Sequence, residues 1–116
     1  MVVRQLDQDE VDRVFAALAD ATRRDIVTRV LRQEASVSTL AEGYAMSFAA
    51  VQKHVAVLER AHLVIKQRHG REQIVHADLS TIRAAARLLD RLEEIWRGRI
   101  DRVDDLLAAP QEGTAT

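Results

Sequence analysis

A chain of 116 residues with 47% hydrophobic side chains has enough apolar material for one domain with a core of its own. It contains no cysteine, which excludes disulfides, thiolate metal sites and cysteine nucleophiles together and suits a reducing compartment. The net charge of -1 hides an uneven distribution. Residues 47–76 carry five basic and two acidic side chains and all four histidines (His54, His62, His69 and His76), whereas the rest carries 12 basic and 16 acidic ones. The opening MVVRQLDQDE has no apolar run of signal-peptide length, and no stretch approaches the ~18 apolar residues that span a bilayer. A soluble cytoplasmic protein with no membrane partner is therefore expected.

Taken in order, Val11, Val14, Phe15 and Leu18 recur at helical spacing and predict a first helix over about residues 9–19. Asp20 offers a capping carboxylate for a second helix through Ile26, Val27, Val30 and Leu31. A short helix follows, with Ser36 or Ser38 as cap, Thr39 and Glu42 as a capping-box pair, and Leu40, Ala41 and Tyr44 on its inner side. Ala45 and Met46 make a tight link, and Ser47 caps a fourth helix running to about residue 61. Then the period changes from helical to extended. Residues 64–67 and 73–76 are β-prone runs on either side of Arg68-His69-Gly70-Arg71-Glu72, a hairpin in which Gly70 supplies the positive φ. From Ser80 a long helical region carries Ile82, Ala86, Leu89, Leu92, Trp96, Ile100, Val103 and Leu107, a continuous apolar seam at steps of three and four. Pro110 opens a frayed tail over residues 110–116, leaving residues 1–109 as the domain.

A short helix joined by a tight turn to a helix with a polar, partly basic outer face is the arrangement that docks a helix-turn-helix in DNA. Val51, Val55 and Leu58 turn inward, which leaves Phe48, Ala49, Gln52, Lys53 and His54 facing out from the first two turns. Glutamine can bond bidentately to adenine, lysine can reach guanine or phosphate, and Phe48 or Ala49 can touch a thymine methyl. The helix N-terminus at Ser47 favours phosphate.

Three stretches resemble the ArsR/SmtB family of winged-helix regulators: FAALADATRR (residues 15–24), SFAAVQKHVAVLERAHLV (residues 47–64) and the hairpin around Arg68 to Arg71. With the spacing between them the likeness covers roughly residues 11–107. It implies a mainly α fold with a small β-hairpin, a winged helix-turn-helix that dimerises through its terminal helices. It also implies recognition helices in successive major grooves of a double-stranded operator and wings on the flanking backbone or minor groove, with repression as the mode. The chain is most similar to the branch with a Trp in the final helix, matched by Trp96, and not to the metal sensors. It departs from the family in having Ala21 where Pro is frequent, Ala45 and His62 where Gly is frequent, and Gln52 where a small polar residue is frequent. Ala45 and His62 are thus expected to hold turn conformations that glycine adopts more cheaply.

Several residues keep two readings. Arg23 and Arg24 either reach phosphates or pair with Asp20 and Asp25 on the surface. Lys53 is a DNA contact or a solvated lysine, and Arg68 and Arg71 are backbone contacts of the wing or solubilising charges. His54 belongs to the family's Lys-His pair or is a hydrogen-bonded structural residue. Trp96 belongs to core or dimer interface more readily than to a ligand platform. The seam is longer than packing on one small domain requires, so Phe15, Leu18, Leu92, Trp96, Ile100 and Val103 are expected at a homodimer interface.

The resemblance would put a thiolate metal site near residues 39–44, which hold no cysteine, and a carboxylate-histidine site on the terminal helices, where no histidine follows His76, so no metal site or cofactor is expected. Asp90, Glu93, Glu94, Asp101, Asp104 and Asp105 read as a solvated helix face. No nucleophile elbow, phosphate loop or acid/base pair points to an enzyme. The competing function is a protein-interaction module that dimerises, or pairs in a toxin–antitoxin manner, without binding an operator. Gln52, Lys53, Arg68 and Arg71 argue against it. Nothing in the sequence names a small-molecule effector.

Overall fold

The first helix, α1 (Gln8–Leu18), begins one residue earlier than its apolar spacing predicts because Asp7 and Glu10 form a reciprocal capping box. The Asp7 carboxylate accepts from the Glu10 N–H at 2.8 Å, and the Glu10 carboxylate accepts from the Asp7 N–H at 3.1 Å. Asp20 caps α2 (Ala21–Arg32) as expected, accepting from the Arg23 N–H at 3.0 Å. Next come β1 (Ala35–Ser36), α3 (Val37–Glu42), α4 (Phe48–Arg60), β2 (Val64–His69), β3 (Glu72–Ala77) and α5 (Leu79–Thr114). This computed structural model describes residues 5–114, with side chains to residue 108. It divides into two units, residues 1–85 and 86–116.

In the first unit, one apolar cluster joins every element. Val14 of α1, Ile26 of α2, Leu40 of α3, Val51, Val55 and Leu58 of α4, and Val75 of β3 are all fully buried. The sheet has the order β1-β3-β2 and is antiparallel throughout, with Lys66 opposite Val75 and Ile74 opposite Ser36. The hairpin was legible from its β-prone runs, but β1 was not. Two residues cannot display an alternation, and Ser36 also serves as the α3 cap by accepting from the Thr39 N–H at 3.0 Å. Thr39 and Glu42 therefore do not open that helix. At the hairpin tip a two-residue loop, Gly70-Arg71, has positive φ only at Gly70, as a type II′ turn requires.

The end of α4 shows how a departure from the family pattern is accommodated. His62 has φ 60°, its N–H donates to the Glu59 carbonyl at 3.0 Å, and the Leu63 N–H donates to the Leu58 carbonyl at 2.9 Å. This is a Schellman motif with histidine at the left-handed position. Its usual apolar clamp is present, because Leu58 and Leu63 are both buried in the core. The clamp holds His62 in a conformation that glycine would adopt without side-chain strain. We expect His62→Gly to raise unfolding free energy by about 0.5–1 kcal/mol, after the extra entropy of an unfolded glycine is subtracted. Chemical denaturation reads this as a higher midpoint at unchanged m-value, and a lowered midpoint would refute it. Ala45 departs from expectation in the other direction. It has no positive φ, because the chain leaves α3 through Gly43 at φ −85° and bends over Tyr44 to Met46.

Helix α5 starts at Leu79, not Ser80, with the Asp78 carboxylate accepting from the N–H and hydroxyl of Ser80. Within the first unit its opening turns bury Thr81, Ala84 and Ala85. In the second unit the helix continues through Pro110 to Thr114. The side chains of the tail expected over residues 110–116 lie outside the described residues. No helix among the described residues is long and apolar enough to cross a membrane.

Candidate nucleic-acid interface

The turn between α3 and α4 is fastened to α2 by polar contacts. Arg29 donates to the Leu40 carbonyl at 3.2 Å and lies over the Tyr44 ring, 5.2 Å from its centre. The Tyr44 hydroxyl donates to the Asp25 carboxylate at 2.6 Å, and partial burial, then that bond, raise its pKa above the ordinary phenol value. A Cβ at Gly43 would stand 2.5 Å from an Arg29 guanidinium nitrogen, so a larger residue there would push that flexible side chain away from the Leu40 carbonyl and the Tyr44 ring. The geometry of the helix-turn-helix therefore depends on α2 as much as on the turn itself.

Ser47 caps α4 by accepting from the Ala50 N–H at 3.1 Å. With Val51, Val55 and Leu58 buried, the opposite side of the helix faces outward: Phe48, Ala49, Gln52 and Lys53 are exposed. Arg60 is exposed too, seven residues and therefore two turns beyond Lys53 on the same stripe. That spacing was available in the sequence and marks Arg60 as a further cation of this face. Glu59, the acidic residue of α4, is engaged with Lys66 of β2 at 3.6 Å. Lys53 and Arg60 have no acidic partner among the described residues, so the exposed stripe is net positive.

His54 lies apart from that stripe. It is half-buried on the flank of α4 that meets α2, with Nδ1 3.4 Å from an Arg23 guanidinium nitrogen. Arg23 and Arg24 follow neither expected reading alone. Arg23 is 3.8 Å from Asp20, but its main hydrogen bonds, like that of Arg24, go to carbonyls at the end of α1. Wing residues Arg68 and Arg71 are exposed at the hairpin tip, where Arg68 Nε donates to the Gly70 carbonyl at 3.0 Å and braces the turn. At the base of the hairpin, His76 Nδ1 is 2.7 Å from the Glu34 carboxylate.

The residues expected at a dimer interface fall in both units. In the first, Phe15 and Leu18 are half-buried, Leu18 against the core. In the second, Leu92 and Trp96 are each 55% exposed, Ile100 40% and Val103 46%. Together with Leu89 and Leu107 they lie within an arc of about 80° on α5. Arg99 lies over the Trp96 ring at 5.6 Å. No group of three or more His, Asp or Glu side chains positioned to hold a metal occurs among the described residues.

No protein-family model matches the chain. An HTH-type transcriptional regulator of Mycobacterium tuberculosis is 38% identical to it over 80 residues, which are 69% of this chain and 75% of the relative. An ArsR-like transcriptional regulator from Rhodococcus sp. RHA1 superposes with a TM-score of 0.74 at 34% identity, covering 84% of this chain and 92% of that one. The homodimeric winged helix-turn-helix DNA-binding domain from Mycobacterium bovis shares the fold, with a TM-score of 0.62 at 24% identity over 80% of this chain and 92% of that one. With a fastened helix-turn-helix, a two-stranded wing and relatives of this closeness, the chain belongs to the ArsR family of winged helix-turn-helix transcriptional regulators, a family of regulators and not of enzymes.

Proposed function

We propose that the chain is a homodimeric, cytoplasmic repressor that binds an inverted-repeat operator with α4 in the major groove and the hairpin on the flanking backbone. The observation that carries this reading is the outward stripe of α4. Gln52 and Lys53 stand where side chains reach base edges, and the helix N-terminus at Ser47 is free to meet a phosphate. Phe48, 47% exposed beside Ala49, supplies an apolar contact for a thymine methyl. Arg68 and Arg71 add charge at the wing tip. Dimerisation is supported by the apolar stripe of α5 and by the half-buried Phe15 and Leu18 of α1, and the Mycobacterium bovis relative is a homodimer. Repression is the mode that family resemblance implies.

A twofold dimer presents two copies of α4, so its site has two half-sites about one helical turn (~10 bp) apart, or a multiple of that. Footprinting on the region upstream of the protein's own gene is expected to show an imperfect inverted repeat with that spacing. Protection of a single asymmetric half-site by one subunit would refute the proposal.

A further inference from the structure

The Arg23 side chain joins three elements. The last carbonyls of α1 lie beyond its i→i−4 ladder, and the Ala19 N–H donates to that of Ala16. Arg23 adds further donors: Nε donates to the Ala17 carbonyl at 2.7 Å and one terminal nitrogen donates to the Ala16 carbonyl at 3.2 Å. The other terminal nitrogen is 3.4 Å from His54 Nδ1 on the recognition helix and 3.8 Å from the Asp20 carboxylate that caps α2. All three guanidinium nitrogens are thus engaged, and the side chain is only 18% exposed. A lysine cannot replace it, because the fork must meet the end of α1 and the flank of α4 at the same time.

We propose that His54 is a positioning residue: its hydrogen bond from Arg23 sets the roll of the recognition helix against the end of α1. The inference rests on the DNA-binding reading given above. Its physical basis is directionality. Val51, Val55 and Leu58 press α4 onto the core, but apolar burial is non-directional and tolerates rotation about the helix axis. A hydrogen bond at the flank does not. Side-chain tips lie about 5–6 Å from the axis, so a roll of about 20° displaces Gln52 and Lys53 by about 2 Å. That is enough to break bidentate contact with a base edge while phosphate contacts adjust. Guanidinium has no acceptor, so the bond has one polarity: Arg23 donates and His54 Nδ1 accepts, which requires Nδ1 to carry no proton. His54 thereby acts on the DNA through the orientation of its neighbours Gln52 and Lys53.

The test uses a duplex that the wild-type protein enriches from a random-sequence pool, a scrambled duplex of the same composition, and the variants Arg23→Lys, His54→Leu and His54→Asn. Leucine fills the space without an acceptor, and the Asn carbonyl oxygen takes the place of Nδ1. His54→Leu and Arg23→Lys are expected to bind the enriched duplex about ten-fold more weakly, and the scrambled duplex as the wild type does. His54→Asn is expected to recover most of the loss. Side-chain 15N spectra of the free wild-type protein should show His54 with Nδ1 unprotonated, a signature that Arg23→Lys removes. A merely structural role would lower the thermal midpoint and weaken both duplexes together. Equal binding by wild type and His54→Leu, equal losses for the leucine and asparagine variants, or a proton on Nδ1 would each overturn the inference. If the wild type retains neither duplex, the DNA-binding reading itself fails, and the 15N result still reports on the Arg23–His54 bond separately.

Discussion

Trp96→Ala combined with Ile100→Asp is expected to turn the protein into a monomer and to remove operator binding in the same step. Trp96, 55% exposed, and Ile100, 40% exposed, lie in the middle of the α5 stripe, with Leu92 on one side and Val103 on the other. Large apolar side chains left in water along one face of a helix gain about 25 cal/mol for each Å² that a second copy covers. A central tryptophan is the residue type that most often costs 2 kcal/mol or more when truncated at an interface. The aspartate adds a carboxylate that the closed interface would desolvate. In an isologous dimer each substitution occurs twice, so the two effects are doubled. Operator binding falls with dimerisation because a lone subunit contacts one half-site and loses the high effective concentration that the linked second reader supplies. Sedimentation of wild type and variant at micromolar concentration decides the matter. A monomeric wild type, or a variant that remains dimeric, would show that the α5 stripe has another purpose.

Gln52→Ala and the double variant Arg68→Ala/Arg71→Ala are expected to fail in different ways on DNA. Gln52 is exposed in the second turn of α4, between the capped N-terminus and the buried Val55. Removing its amide should cost on the order of 1–3 kcal/mol per half-site at the cognate operator and relax base preference there. The wing arginines should act on phosphates, where each neutralised charge releases counterions whatever the sequence. Their removal should weaken cognate and scrambled duplexes alike and reduce the slope of log K against log salt by roughly one unit per lost contact. Because a dimer presents each residue twice, both effects double in the full complex. Arg68 already spends its Nε on the Gly70 carbonyl, which leaves its two terminal nitrogens for phosphate and holds them at the turn. The experiment is a salt titration of each variant on both duplexes. An unchanged slope in the double wing variant would make Arg68 and Arg71 solvated surface charges.

The recognition helix was legible because its signals are local. Ser47 as cap, Val51, Val55 and Leu58 at steps of four and three, and outward Gln52 and Lys53 all follow from the 3.6-residue period, and the structure has each of them. Gly70 at positive φ and the β-prone runs around it marked the hairpin for the same reason. Asp7 and Glu10 were also readable, as a carboxylate followed three residues later by Glu, but the apolar spacing drew the boundary one residue inward. Similarly, the i+7 relation of Arg60 to Lys53 is local and lies in the sequence.

What the sequence determined by itself, then, is where helices begin to within a residue, which faces they bury, and where positive charge collects, because those depend on neighbours within a turn or a hairpin. Tertiary structure alone decided the pairing of the two-residue β1 with β3, the lock of Tyr44 and Arg29 on the α3–α4 turn, and the role of Arg23. Arg23 bonds to Ala17 and Ala16, six and seven residues back, and to His54, thirty-one residues ahead. No periodicity records such partners. A guanidinium on a helix surface has the same local pattern whether it faces solvent, a phosphate or the carbonyls of another helix, and only the packing of α1, α2 and α4 selects among them.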